Sequence, residues 1–176
     1  SYFDTEKVFD NVMHKFKFGG LDKPGVYLDE TVMRMCFTHR RLLSQLALNL
    51  VQEGDTVRAK QVLDKAEKEI PDYNVRHDYQ SGSLDLVRAY ALTNQDQKAQ
   101  KLLDELWKKS CQYLQWYCSF DGNSFDIAQR DCMVQIYIMQ QMLDVQDVIS
   151  EEEADKKEKQ LEGYMRIYQS KGGAWE

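Results

Sequence analysis

The chain has 176 residues and a formal net charge of −6 at pH 7, from 23 basic and 29 acidic side chains. Its 2 prolines and 9 glycines are too few for the many tight turns of a β-sandwich or barrel. The acidic balance excludes a general nucleic-acid binder, and no apolar stretch approaches the roughly 20 residues of a membrane-spanning helix. The composition therefore predicts an all-α protein that binds no nucleic acid and inserts no segment into a membrane.

The acidic excess is confined to the last third of the chain. Residues 1–50 carry 7 basic and 6 acidic side chains, and residues 51–110 carry 10 and 11. Residues 111–176 carry 6 and 12. A charge run of this kind is typical of a solvated helix, so we expect an acidic helix near the end of the chain.

The first half of the chain shows clear helix boundaries. Apolar side chains at 3.6-residue spacing predict a helix over residues 4–16, followed by an ordered loop to residue 28. Asp29 is placed to cap a long second helix, which Gly54 ends. Asp55 or Thr56 caps a third helix, which ends at Pro71.

Residues 40–71 match the tetratricopeptide pattern, in which two antiparallel helices pack through small side chains at fixed positions. Small residues allow close approach, larger ones fill the gaps, glycine turns the corner and proline ends the second helix. The matching residues are Leu43, Leu46, Ala47, Leu50, Gly54, Ala59, Leu63, Ala66 and Pro71.

A second copy of the pattern lies 40 residues further on. The longer offset is explained by an extended linker over residues 72–80, and Cys111 in place of proline lets the last helix run on toward Tyr117. The matching residues are Leu86, Val87, Tyr90, Asn94, Ala99, Leu103 and Leu106.

The C-terminal third predicts a helix pair that is not a full repeat. Residues 127–148 are apolar and helical, and Ser150 with Glu153 forms a capping box for a last helix to Tyr168. The predicted fold is an all-α, tetratricopeptide-like array of helical hairpins in one domain, with an unrelated helical bundle as the alternative. Its parts are a lead helix and loop (1–30), repeat 1 (31–71), repeat 2 (80–118) and a capping helix pair (124–170).

No motif in the chain predicts catalysis, a cofactor or a metal site. Cys36 and His39 are three residues apart on one helix, but nothing in the sequence would activate the thiol. The segment 121–126 resembles the start of a calcium loop but lacks its glycine and its glutamate, so a helix-capping loop is the simpler interpretation. We expect the four cysteines to be buried free thiols.

Two groups of side chains are candidates for binding. Tyr113, Trp116, Tyr117 and Phe120 could stack on a sugar ring, but their spacing also fits a buried helix face, which we favour. In tetratricopeptide arrays the first helix of each hairpin lines a concave groove. The groove predicted here contains Arg41, Gln45, Arg88 and Gln135, in which the arginines could hold a carboxylate and the glutamines a peptide backbone.

Several segments occur in a recognisable order along the chain. They are Phe9-Asp10-Asn11, residues 15–20, residues 23–30, Arg34-Met35-Cys36 and Thr38-His39-Arg40, of which residues 23–30 are the most specific. In this order the chain, from about residue 2 to residue 168, resembles the C-terminal domain of a family of large multi-pass bacteroidete membrane proteins of unknown function. The membrane part of that family is related to protein O-mannosyltransferases.

The resemblance implies a non-catalytic appendage of a membrane glycosyltransferase, tethered on the extracytoplasmic (periplasmic) side. The catalytic acids of such transferases lie on loops near the membrane domain, so none is carried over to this chain. We therefore expect a scaffolding or interaction module whose partner is a protein or peptide, the membrane part of its own parent chain among them. The alternative is an accessory acceptor- or glycan-binding domain.

Overall fold

The computed structural model describes residues 3–174, and within that range it contains seven α-helices and no strand. None of these helices is long and apolar enough to cross a membrane. The helices are α1 (Thr5–Asp10), α2 (Glu30–Gln52), α3 (Thr56–Glu69), α4 (Ser83–Leu92), α5 (Asp96–Cys118), α6 (Gly122–Ile149) and α7 (Glu151–Ser170).

The chain forms two compact units, unit 1 (Ser1–Leu102) and unit 2 (Leu103–Glu176). In unit 1, α2 packs against both α3 and α4. In unit 2, α6 and α7 pack together as a hairpin. The all-α prediction is confirmed for the described residues, and the single-domain layout stays a prediction.

Four of the helices in the described residues start at a short polar side chain that caps them. Asp4, Asp29, Asp55 and Ser150 each accept a hydrogen bond from the backbone N–H three residues later, at 2.8 to 3.3 Å. Each bond satisfies one of the N–H groups that have no partner inside the helix. The three capping predictions, for Asp29, Asp55 and Ser150, are therefore confirmed, with Asp55 rather than Thr56 capping α3.

The two predicted repeats turn at equivalent positions. Gly54, between α2 and α3, has φ +80°, and Asn94, between α4 and α5, has φ +60°. Asparagine is one of the few residues other than glycine that enters this left-handed region readily. The small residues Ala59 and Ala99, also 40 positions apart, are both completely buried. The 40-residue period is thus present in the local structure of both hairpins.

The linker between the two hairpins is organised by a buried arginine. Arg40 of α2 is only 1% exposed, and its guanidinium donates hydrogen bonds to the carbonyls of Ile70, Val75 and Arg76. The linker is not extended as predicted: it consists of turns and a 3₁₀ turn, Tyr79–Ser81. An extended segment could not direct several carbonyls at one side chain. The hydrogen bonds to Arg40 therefore stabilise the turns of the linker.

Burial lowers the pKa of Arg40 to about 10. The side chain is therefore still charged at neutral pH, and its charge is solvated by the carbonyl dipoles of the linker instead of by water. The same linker also holds the N-terminal loop, because the Asn74 amide donates to the carbonyls of Leu21 and Lys23 at 2.6 and 2.7 Å. Arg40 and Asn74 thus join three separate parts of unit 1.

The start of α4 lies directly against α2. Gly82 has φ +74°, and a Cβ atom at this position would lie 2.9 Å from the Cα of Arg41. That distance is too short for two carbon atoms in contact, so only glycine fits without a shift of backbone. Gly82 therefore sets how closely the first helices of the two hairpins approach each other.

Unit 2 is held together by polar contacts between α5 and α7 as well as by its apolar core. The Trp107 indole donates to Gln160 at 2.8 Å, and the Lys157 ammonium binds Asp104 at 2.7 Å. Lys157 is buried, so this ion pair is shielded from solvent on the lysine side. Because Asp104, Trp107 and Gln115 on α5 have partners on α7 that follow in the same order along the chain, Lys157, Gln160 and Tyr164, the two helices run parallel.

We predict that Arg40→Gln lowers the free energy of unfolding by about 3 kcal/mol, because buried carbonyls lose their donor. Arg41→Gln is the matched control: the residue is exposed, and its Cβ and Cγ contacts are retained. The control should change stability by less than about 0.5 kcal/mol. Urea denaturation of the two variants measures the difference, and equal midpoints would show that the linker does not depend on Arg40.

We predict that Gly82→Ala is at least about 1 kcal/mol more destabilising than Gly54→Ala. Both glycines have positive φ, so both alanines carry a backbone penalty of about 1–2 kcal/mol. Only the alanine at 82 also meets neighbouring backbone, since nothing lies within 4 Å of a Cβ at Gly54. Thermal unfolding followed by circular dichroism compares the two, and the reverse order would contradict the close approach of α2 and α4.

Candidate interaction surfaces

Two of the predicted groove residues lie on α2. Arg41 and Gln45 are both exposed, one helical turn apart, and the Gln45 amide donates to Asn49 at 2.9 Å. Side chains four apart in a helix share one face, so Arg41 and Gln45 are available to the same ligand.

Arg88, on α4, is already paired. Its guanidinium donates to the Asp85 carboxylate at 2.6 Å, and both side chains are partly exposed. A ligand carboxylate would have to compete with Asp85 for this arginine. The predicted role of Arg88 as a free carboxylate anchor is therefore weakened by its own neighbour, while α2 and α4 do pack against each other as the groove requires.

Gln135 belongs to α6 in unit 2, whereas the other three groove residues belong to unit 1. Its side-chain carbonyl is buried and has no hydrogen-bond partner among residues 3–174. A buried acceptor without a donor lowers stability, and such acceptors are rare in protein interiors. A common groove for all four residues stays a prediction.

The residues considered for catalysis are held in structural roles. Cys36 is buried, and burial raises the pKa of its thiol, which opposes thiolate formation. The His39 ring packs against Phe18, with ring centroids 5.0 Å apart. Asp121, at the start of the segment considered for calcium, forms an ion pair with Lys171 at 2.7 Å. In the described part of the chain, no group of three or more His, Cys, Asp or Glu side chains could hold a metal ion.

The four cysteines are buried free thiols, as predicted. In unit 2 the thiols of Cys118 and Cys132 lie close to each other. Burial, and then the neighbouring Cys118, raise the pKa of Cys132 to about 12. These thiols are therefore core groups in their neutral form at physiological pH.

The prediction that the α5 aromatics form a buried face is wrong. Trp116 is 57% exposed and Tyr113 is 38% exposed, and Tyr117 and Phe120 are half-buried. The rings contact one another: the centroids of Trp116 lie 5.3 Å from those of Tyr117 and of Phe120. We call these four side chains the aromatic face.

A row of exposed apolar side chains lies on α6. Burial and then the negative charge of Asp131 raise the pKa of Tyr117, so the side of α6 that carries Asp131 is within electrostatic range of the aromatic face. Ile127 and Val134 precede and follow Asp131 by four and three residues, so they share its side of the helix. Ile127 is 83% exposed, and Val134 and Tyr137 are also exposed. Unit 2 therefore carries exposed aromatic side chains near the end of α5 and exposed aliphatic side chains on α6.

The sequence contained a signal for this surface. Over residues 132–139 nearly every side chain of α6 is apolar, on all sides of the helix, and a helix at a protein surface buries only one stripe. Cys132, Ile136, Ile138 and Met139 are buried, and the other apolar side chains of this segment, Met133, Val134 and Tyr137, are exposed.

No protein-family model, curated protein or solved structure matches this chain.

We predict that Trp116→Ala costs about 1 kcal/mol or less, because it removes only ring contacts at the surface. Trp107→Ala, on the same helix, should cost about 3–5 kcal/mol, since Trp107 is 5% exposed and hydrogen-bonded. Urea denaturation of the two variants measures both values. Comparable losses would mean that Trp116 is packed in the core after all.

Proposed function

We propose that this chain is a non-catalytic interaction module that binds a protein or peptide segment, and that the aromatic face is its binding surface. The observation that supports this is the exposure of Trp116 and Tyr113, in a unit whose helix α6 also exposes aliphatic side chains. Exposed apolar patches of this kind mark interaction sites, and tryptophan and tyrosine contribute most to binding at protein interfaces.

The aliphatic side chains favour a protein partner. Ile127 and Val134 present methyl groups to solvent, and these gain free energy when they contact apolar side chains of another protein. A sugar would offer them hydroxyl groups, which lose hydrogen bonds to water on an apolar surface. The partner we propose therefore presents apolar side chains, as an amphipathic helix or an apolar loop does.

The proposed architecture is tetratricopeptide-like. It is supported by the 40-residue period of the left-handed turns at Gly54 and Asn94, and by the packing of α2 against α4. In such arrays the first helices of successive hairpins lie side by side and leave an exposed face for a ligand. Arg41 and Gln45 would lie on this face, as a second contact region of the same module.

The module is proposed to be an appendage of a longer membrane protein related to glycosyltransferases, held on the extracytoplasmic side. The support is the resemblance of the segments at residues 9–11, 15–20, 23–30, 34–36 and 38–40 to such a family. In this arrangement the partner is a membrane-domain loop of the parent chain or a protein bound near it. The function proposed for the aromatic face does not depend on the location.

The proposal is tested by site-specific photo-crosslinking in the full-length protein in its source cells. A benzoylphenylalanine residue at position 116 should form a crosslink to a defined protein segment, identified by mass spectrometry. At position 108, an exposed lysine of α5 outside the aromatic face, the yield of that product should be at least about fivefold lower. The same product should disappear when Tyr113 and Val134 are both replaced by serine.

Equal yields at positions 116 and 108 would contradict the proposal. An intramolecular product would assign the partner to the parent chain, and an intermolecular product would assign it to another protein. Both results support an interaction module.

The second candidate is a glycan- or acceptor-binding domain, which is favoured by the large exposed ring of Trp116. Aromatic rings at a surface can stack on the apolar face of a sugar. Titration of the chain with mannose oligosaccharides, followed through the indole N–H resonance of Trp116, distinguishes the two. A saturable shift at millimolar sugar, together with no crosslinked protein, would replace the first proposal by the second.

A further inference from the structure

A second surface of unit 2 has a different chemistry. A groove of about 520 Å³ lies between α6 and α7, and it shares no residue with the aromatic face. Its floor is apolar and includes Leu143, Leu161 and Met165. Because one residue joins the two helices, they run antiparallel and the groove follows their seam over about two helical turns.

The walls of the groove are acidic on both sides. They carry the carboxylates of Asp144 and Asp147 on α6 and of Asp155, Glu158 and Glu162 on α7. All five side chains are exposed at the rim. Within the described range, the ion pairs of α7 use other carboxylates: Lys156 binds Glu152 and Glu153, and Lys157 binds Asp104.

Five carboxylates along one groove repel one another, and this repulsion is relieved when a cationic ligand enters. A metal ion does not fit the arrangement, because no three carboxylates of the described chain converge as metal ligands. The floor also offers carbon atoms where a hard cation requires oxygen. The ligand therefore has to combine several separated positive charges with an apolar surface.

The spacing of the carboxylates matches a helix. On each wall they recur at intervals of three or four residues, which is one helical turn. A helix laid along the seam would place an apolar stripe on Leu161 and Met165, and lysines on both sides of that stripe would reach the two walls. Methionine in the floor adapts readily to different apolar side chains.

We propose that the groove between α6 and α7 binds a lysine-rich amphipathic helix of a partner protein. The groove is a contact site in its own right, and it does not require the aromatic face to function. Its affinity is electrostatic at the walls and hydrophobic at the floor, so both parts can be tested separately.

The test uses an 18-residue synthetic peptide with a leucine stripe flanked by lysines, labelled with a fluorophore and titrated with the chain. A scrambled peptide of the same composition and charge is the control for the apolar stripe. We expect saturable binding of the first peptide, at least about fivefold weaker binding of the scrambled one, and a Kd that rises with salt because the charges are screened. Equal binding of both peptides would overturn the proposal, since charge alone would then explain it.

Variants assign the site. Asp144→Asn with Glu158→Gln should raise the Kd about fivefold or more, since each exposed ion pair contributes modestly. Glu105→Gln with Asp126→Asn removes the same charge from exposed positions of unit 2 outside the groove and should leave the Kd within about twofold. Met165→Gln should weaken binding without changing the salt dependence. Equal effects of the two charge pairs would overturn the proposal.

Spermine and calcium serve as competing probes in calorimetry. One further outcome would overturn the proposal and assign a small cation to the groove. In it, the chain binds spermine or calcium but not the peptide, and the Asp144→Asn, Glu158→Gln variant no longer binds that cation. The comparison of the two peptides uses the unaltered chain, so it remains decisive even when a variant folds poorly.

Discussion

The structure of unit 1 depends on a buried positive charge that is solvated by the backbone. Arg40 has no carboxylate bound to it in the described residues; its hydrogen bonds go to carbonyls at the end of α3 and in the linker, and to the hydroxyl of Ser81. An ion removed from water is tolerated only when such dipoles surround it. The linker therefore has to form turns. These turns place Gly82 against Arg41, where α4 can pack closely against α2.

The local features of the fold follow from the sequence because they depend on neighbouring residues. The caps at Asp29 and Ser150 and the turn at Gly54 need only a side chain or a φ angle in the right place. Arg40 was the first position of the predicted repeat, but its role was not predictable, because its acceptors lie 30 to 41 residues further along the chain. The same limit explains the aromatic face: a periodic pattern shows that Tyr113 and Trp116 share a side of α5, but it does not show what covers that side.

The four residues predicted to line a groove differ in their surroundings. Arg41 and Gln45 are exposed as a groove requires, whereas Arg88 is paired with Asp85. The two proposed binding surfaces lie in unit 2. One consists of aromatic side chains and the apolar side chains of α6, and the other contains part of the acidic excess of the C-terminal third. One surface offers aromatic and aliphatic carbon, and the other offers carboxylates around an apolar floor. A partner would need different side chains for each, which would give the unit selectivity through two independent contacts.

The chain of hydrogen bonds through the linker also has a consequence for how unit 1 fluctuates. Arg40 holds the linker, and Asn74 of the linker holds the loop at Leu21 and Lys23. Neither segment has a regular ladder of backbone hydrogen bonds of its own. When the guanidinium releases its carbonyls, the loop loses its anchor as well. We therefore expect the loop and the linker to open as one cooperative unit, with amide hydrogens that exchange with solvent together although about 50 residues separate them in the sequence.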